Sequence, residues 1–198
     1  MDEHPKSVRC LAEKLNDIYI KTLIKSTQTY QSLPELTAAL TENQQNTYHQ
    51  IIRSVAIPEA AFEDFCSWSE DCYTRNCIFE NEKFELILLC WEKDQITPIH
   101  DHGGEECWVK VINGTLKETL YKQESSGLTQ LVTNTSEKGT ISYMIDFMGY
   151  HKLENISGHR AMSLHLYAKP IKKCNVFDDS KKTFSKKALS FDTVSSAY

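Results

Sequence analysis

From Ser7 to Leu23 the apolar positions Val8, Leu11, Leu15, Ile18, Tyr19 and Leu23 recur mostly at spacings of three and four, the stripe of a helix with one buried face. The run LPELTAAL (33–40) predicts a second helix with Pro34 in its first turn, where a missing N–H costs nothing. Tyr48–Val55 and Pro58–Trp68 predict two more, Pro58 again suiting a helix start. From Tyr73 the pattern changes. Phe84–Trp91, Cys107–Ile112, Lys117–Tyr121, Gln130–Thr133, Ile141–Ile145 and Ser163–Ala168 are short runs rich in β-branched and aromatic residues, separated by turn residues. Strands in series without helices between them predict an antiparallel sandwich or barrel. Ser180–Tyr198 is polar and weakly patterned, and reads as an irregular wrap or partly mobile tail.

Glycine agrees with this division: all 7 lie between positions 103 and 158, in the region of the predicted β turns. At 198 residues the chain is expected to be one domain, with a helical region (1–72) packed on a barrel (73–178) and a C-terminal wrap (179–198). A net charge of −5 without any basic cluster beyond short runs such as Lys172-Lys173 excludes nucleic acid and anionic membranes as partners. The N-terminus MDEHPKSVRC has no apolar core of a secretory signal, and the longest apolar run, Leu86–Trp91, is too short to span a bilayer. The expectation is a soluble, cytoplasmic protein. Cysteines at 10, 66, 72, 77, 90, 107 and 174 follow no metal-cage or disulfide spacing and read as free thiols.

The candidate chemistry begins at His100-Asp101-His102. In an extended chain these imidazoles project from one face and can chelate a metal ion, although the pair alone also reads as two exposed strand histidines. Four residues then separate His102 from Cys107, and six more precede Gly114; further on, His151 is followed after three residues by Asn155. Both spacings resemble the two signatures of the cupin barrel, which usually has Glu where Cys107 stands. Glu106 is the alternative occupant. Strand phase favours Cys107, because Trp108, Lys110 and Ile112 alternate with Cys107, Val109 and Val111, and the charge of Lys110 predicts that its face is solvated. A metal here would be held by three neutral histidines without a carboxylate.

A cupin with Cys in that slot resembles the thiol dioxygenases, and the resemblance to the cysteine dioxygenase family is close from about Tyr73 to Asp178. It is carried by YTRN (73–76), LLCW (88–91), IHDH (99–102), GTLKETLY (114–121), HKLEN (151–155), SLHLY (163–167) and CNVFD (174–178). The fold implied is mainly β with N-terminal helices (α+β), a cupin-type antiparallel β-barrel or jelly roll. The resemblance implies one Fe(II) per chain on His100, His102 and His151. It further implies a carboxylate-binding Arg75, a thioether crosslink between Cys107 and Tyr167, a catalytic Tyr167 with His165 beside it, and Ser163 and Tyr73 in the pocket. The implied reaction adds both atoms of O2 to the sulfur of L-cysteine, giving cysteine sulfinate, in a monomer. Dioxygenation of 3-mercaptopropionate or cysteamine, and a non-catalytic metal-binding cupin, are the alternatives.

Each residue also has a plainer reading. Arg75 alone could be a surface or ion-paired arginine, and Ser163 and His165 could be satisfied core groups sharing a strand face with Tyr167. Cys174 matches a position near the pocket entrance. His4, His49 and His159 read as surface residues and Trp91 and Trp108 as packing. The turn Gly103-Gly104-Glu105-Glu106 departs from the family pattern and is expected to bring two carboxylates near the mouth.

Overall fold

The computed structural model describes residues 28–125 and 127–195, so the helix predicted over Ser7–Leu23, together with His4 and Cys10, lies outside the described residues. Helix α1 (Leu33–Glu42) starts where expected: Ser32 Oγ accepts the Glu35 N–H, and Glu35 reaches back to the Gln31 N–H at 2.9 Å. It buries Leu33, Leu36, Thr37, Ala39 and Leu40. Helix α2 (Tyr48–Arg53) buries Tyr48, Ile51 and Ile52. The segment predicted as a further helix over Pro58–Trp68 is instead a 3-10 turn, Glu59–Phe65, whose single buried residue is Phe62. One apolar anchor does not supply the stripe that sustains an α-helix against a sheet.

Eleven strands follow: β1 (Thr74–Glu80), β2 (Glu85–Trp91), β3 (Cys107–Asn113), β4 (Thr115–Glu124), β5 (Gly127–Glu137), β6 (Ile141–Met144), β7 (Tyr150–Asn155), β8 (Ala161–Tyr167), β9 (Lys173–Asp178), β10 (Thr183–Ala188) and β11 (Thr193–Val194). Six form one sheet in the order β11-β1-β2-β8-β3-β6. The opposing layer consists of β5-β4-β7 and β10-β9. Residues 95–101 join its two parts, because Ile96 and His100 bridge to Glu154 and His151 of β7 while His100 also bridges to Val176 of β9. Apart from the parallel β1–β11 pair, the ladders are antiparallel, as expected of the barrel.

The six-stranded sheet is covered on both faces. Ile78, Leu86, Leu88, Cys90, Trp108, Ile112, Leu164 and Leu166 pack with the helices in one core cluster. Ile87, Leu89, Trp91, Cys107, Val109, Val111 and Tyr167 point the other way and meet Leu116 and Leu153 of the opposing layer inside the barrel. Burial on both faces explains why β2 reads as a continuous apolar run and not as an alternation.

Two expectations need correction. The Trp108/Lys110/Ile112 face is not solvated; it lies beneath the helices, and Lys110 is only 8% exposed. Its Nζ donates to Val55 O at 2.6 Å and Ile52 O at 3.4 Å, satisfying carbonyls at the end of α2. Cys107 still faces inward, because alternation fixes opposite faces whichever of them meets water. Nor is 180–195, the described part of the predicted C-terminal wrap or tail, irregular: Thr183–Ala188 pairs with β9, and Thr193–Val194 extends the six-stranded sheet beside β1. No helix among the described residues is long and apolar enough to cross a membrane.

Lys110→Met keeps the aliphatic stem but leaves two buried carbonyls without their cationic donor. It is expected to cost about 2 kcal/mol of stability in urea unfolding. A loss below about 0.5 kcal/mol, the range of ordinary surface changes, would contradict this capping role.

Candidate metal centre

His100 ends the connecting segment, His102 follows it, and His151 projects from β7. One ligand nitrogen from each lies within 4.8 Å of the other two. The mutual backbone bonds of His100 and His151 (N to O at 2.9 and 3.0 Å) bring the first and third rings together. The loop between His100 and β3 is pinned by Asp101, whose Oδ1 accepts the Asn175 and Gly103 N–H groups and whose Oδ2 accepts Asn175 Nδ2. Asp146 Oδ1 accepts the His102 N–H at 2.8 Å. Gly103 turns this loop at φ +64°, and a Cβ there would lie 2.7 Å from Lys173 O. Gly149, at φ +110°, lets the chain pass Tyr121 O just before β7; a Cβ would lie 2.2 Å from that oxygen.

The donor set suits a divalent cation. His100 Nδ1 faces Pro98 O at 2.9 Å and His151 Nδ1 faces Glu118 Oε1 at 2.6 Å, contacts in which Nδ1 donates and Nε2 is the nitrogen turned away from its acceptor. His151 Nε2 and His102 Nδ1 are buried without a hydrogen-bond partner. Burial, reinforced by the neighbouring imidazoles, lowers the His100 pKa to about 3 and holds His102 well below its ordinary value. These rings are neutral, as metal ligation requires.

Beside the histidines is a cavity of about 300 Å³ lined by Tyr73, Arg75, His100, Tyr167, Cys174 and the stretch 187–190 with Asp192, among others. Arg75 Nη2 lies 3.3 Å from Glu85 Oε1, and Nε donates to Ser190 O at 3.3 Å. Burial opposes the Arg75 charge, but Tyr167 and Glu85 outweigh it and its pKa is raised. Arg75 is therefore both ion-paired and on the cavity wall. Cys107 and Tyr167 are directly opposed across β3 and β8. Burial pushes both groups' pKa values up, so both are protonated at neutral pH.

Trp91 Nε1, a donor only, donates to Ser163 Oγ at 2.9 Å, and that hydroxyl lies 2.8 Å from His165 Nε2. His165 Nδ1 is buried without a hydrogen-bond partner among the described residues, in a ring stacked on Tyr167. Trp91 is thus more than packing, and it also stacks on Tyr73 with ring centroids 4.8 Å apart. Trp108 packs on Tyr48 and Tyr143 away from the cavity, and His49 and His159 are exposed, all as expected. The two glutamates do not reach the mouth. Glu106 accepts Gln45 Nε2 and Tyr143 Oη outside the barrel, while Glu105 lies 4.0 Å from Lys169.

Sequence reasoning missed Glu85, Glu118 and the C-terminal wall. Glu118 stands at an inward position of β4, two residues after buried Leu116, and Glu85 interrupts the apolar run FELILLCW. Each is a lone charge at a position whose phase demands burial, which is the signal that could have found it.

A family model described as cysteine dioxygenase type I matches residues 21–180. Curated relatives named cysteine dioxygenase type 1 include one from Danio rerio, 37% identical over 120 residues, covering 58% of this chain and 60% of that protein. One from Rattus norvegicus is 38% identical over 111 residues, covering 54% and 56% respectively. One from Homo sapiens is 36% identical over 134 residues, covering 62% and 67%. The chain thus spans some 56–67% of the length of these relatives.

His151→Ala is expected to lose tight metal binding. Glu118→Gln keeps the ring but weakens its orienting partner, and is expected to lower affinity about tenfold, the low end for such outer partners. Competition between the protein and a chromophoric chelator for Co(II) measures both; unchanged affinity in His151→Ala refutes the site.

Proposed function

The chain belongs to the cysteine dioxygenase type I family, and from that premise we propose that it is an iron-dependent dioxygenase converting L-cysteine and O2 to cysteine sulfinate. The observation that carries this reading is one small cavity lined by both Arg75 and His100, the latter a member of the three-histidine cluster. L-Cysteine has a matching set of groups: a thiol and amine for the metal and a carboxylate for the arginine. Both oxygen atoms end on sulfur and the substrate supplies all the electrons, so no cosubstrate is required.

His100, His102 and His151 would hold Fe(II), and imidazole ligands without a carboxylate would leave its charge undiminished. Bound iron supplies acidification of the substrate thiol and activation of O2. Arg75 binds the substrate carboxylate through charge-assisted N–H bonds, with Ser190 and Glu85 fixing the guanidinium. Tyr167 keeps its proton at neutral pH and offers a hydrogen bond to the reacting groups. The Trp91–Ser163–His165 chain holds the imidazole in place beside Tyr167, and Tyr73 forms part of the wall. Cysteamine, with no carboxylate, would leave Arg75 unused.

The opposed Cys107 and Tyr167 are suited to a thioether, a bond from Sγ to a ring carbon formed with loss of two hydrogens to O2. In active wild-type protein, peptide mapping is expected to find a Cys107–Tyr167 peptide lighter by two hydrogens, absent in Cys107→Ser. Finding only the unmodified peptides refutes the crosslink.

Iron-loaded protein is expected to consume one O2 per L-cysteine and yield cysteine sulfinate. Arg75→Ala is expected to raise the KM for cysteine about tenfold or more, from the loss of one or two charge-assisted bonds, with a much smaller effect on cysteamine. Absence of thiol-dependent O2 uptake in fully iron-loaded protein refutes the activity.

A further inference from the structure

Glu85 opens β2 on the face that β2 turns to the barrel interior, and it is fully buried. Its Oε1 meets Arg75 Nη2 at 3.3 Å, whereas its Oε2 is buried with no side-chain hydrogen-bond partner among the described residues. A permanently ionised carboxylate at zero exposure calls for both oxygens to be satisfied; a neutral carboxyl needs less. The other groups that act on it are Glu80, across from it on β1, the Cys77 thiol of β1, Lys172 and the Ile171 backbone N–H before β9, the last favouring its charged form, Tyr167, its cross-strand partner on β8, and the Cys107 thiol of β3. Lys172 is already paired with Glu80 at 2.5 Å, so Arg75 is the nearest countercharge.

We propose that Glu85 is a proton-linked counter-ion of Arg75: its carboxylate balances the guanidinium in the ligand-free protein, and it takes up one proton when a ligand carboxylate engages the same guanidinium. The inference rests on the reading that Arg75 receives the substrate carboxylate. With that carboxylate in place, one guanidinium stands between two anions in a desolvated cavity, and their repulsion disfavours the ionised form of Glu85. Glu85 does not touch the substrate; it is a positioning residue that sets how much of the Arg75 charge is free for the ligand. The step is a simple protonation, with the proton drawn from solvent.

Burial already raises the Glu85 pKa to about 7, against the pull of Arg75, so the group is poised to titrate near neutrality. A bound metal dication draws that value down, and an arriving thiolate and carboxylate push it back up. Between the ligand-free and ligand-bound pKa values, binding takes up a proton, so affinity falls as pH rises. Below that interval Glu85 is neutral in both states, and above it charged in both, and the dependence vanishes.

Anaerobic titration of the iron-loaded protein with L-cysteine from pH 5.5 to 9 tests this in wild type and Glu85→Gln. The ratio of the wild-type Kd to the variant Kd cancels the ionisations of cysteine and of the remaining site. It is expected to rise by up to about tenfold per pH unit across the interval and to level off outside it; a ratio flat from pH 5.5 to 9 overturns the proposal. Should Glu85→Gln fail to fold, wild type decides alone. Calorimetry in buffers of different ionisation enthalpy is expected to show one more proton taken up with L-cysteine than with cysteamine near neutral pH, and equal numbers overturn the proposal. Arg75→Gln separates the two levels. If it leaves cysteine affinity unchanged, the carboxylate reading fails and this inference with it; if it weakens cysteine while the Glu85 ratio stays flat, the inference alone fails.

Discussion

The reciprocal backbone pair between His100 and His151 is the interaction on which the rest of the site depends. It ties residues 95–101 to β7, and the same segment bonds to β9 through Phe177 N to Ile99 O and Asp101 N to Asn175 O. Without that segment the outer layer would be two separate pieces, β5-β4-β7 and β10-β9, each with an unpaired edge. Closing the layer and bringing two candidate metal ligands face to face are therefore one event. The tight turn at Gly103 and the anchoring of Asp101 on Asn175 then fix the third ligand, His102, relative to the first two.

Charge in this interior is arranged in depth. The carboxylates stand behind the groups they serve: Glu118 behind His151, Glu85 behind Arg75, Asp101 and Asp146 on backbone amides of the ligand loop. A carboxylate placed directly on a metal would lower its net charge; one placed behind a ring orients it and leaves that charge nearly intact. Cys107, fully buried and protonated, is consistent with this arrangement, since it adds no anion beside the cluster.

Much of this was legible in the sequence, because histidine spacing and strand phase are local properties. His100, His102 and His151 were found from two spacings, and Cys107 was set facing inward by alternation. The same alternation was misapplied to Lys110, whose charge predicted water and found helix-end carbonyls; a covering layer more than fifty residues away is invisible to a period-two argument. Strands β1, β7, β9 and β10 were missed as strands since their sequences mix charge with apolar positions, as in YHKLEN and TFSKKA, and their pairing partners lie far along the chain. The wall formed by 187–192 was missed for a related reason: its place is set by contacts to Arg75 and Lys172, not by any pattern of its own.

The two halves of the site come from different layers. The histidine half belongs to the outer layer, with His151 on β7 backed by Glu118 on β4. The other half belongs to the helix-covered sheet: Arg75 on β1, Glu85 and Trp91 on β2, Cys107 on β3, and Ser163, His165 and Tyr167 on β8. The separation between a cation in the cluster and the Arg75 guanidinium is therefore a sheet-to-sheet distance, set by Val109, Leu116, Leu153 and the other side chains packed between the layers. A close-packed interior transmits small changes in volume. Substitutions in that apolar filling should thus shift the histidine cluster relative to Arg75, even where they touch neither, whereas the helices act only on the outer face of one half.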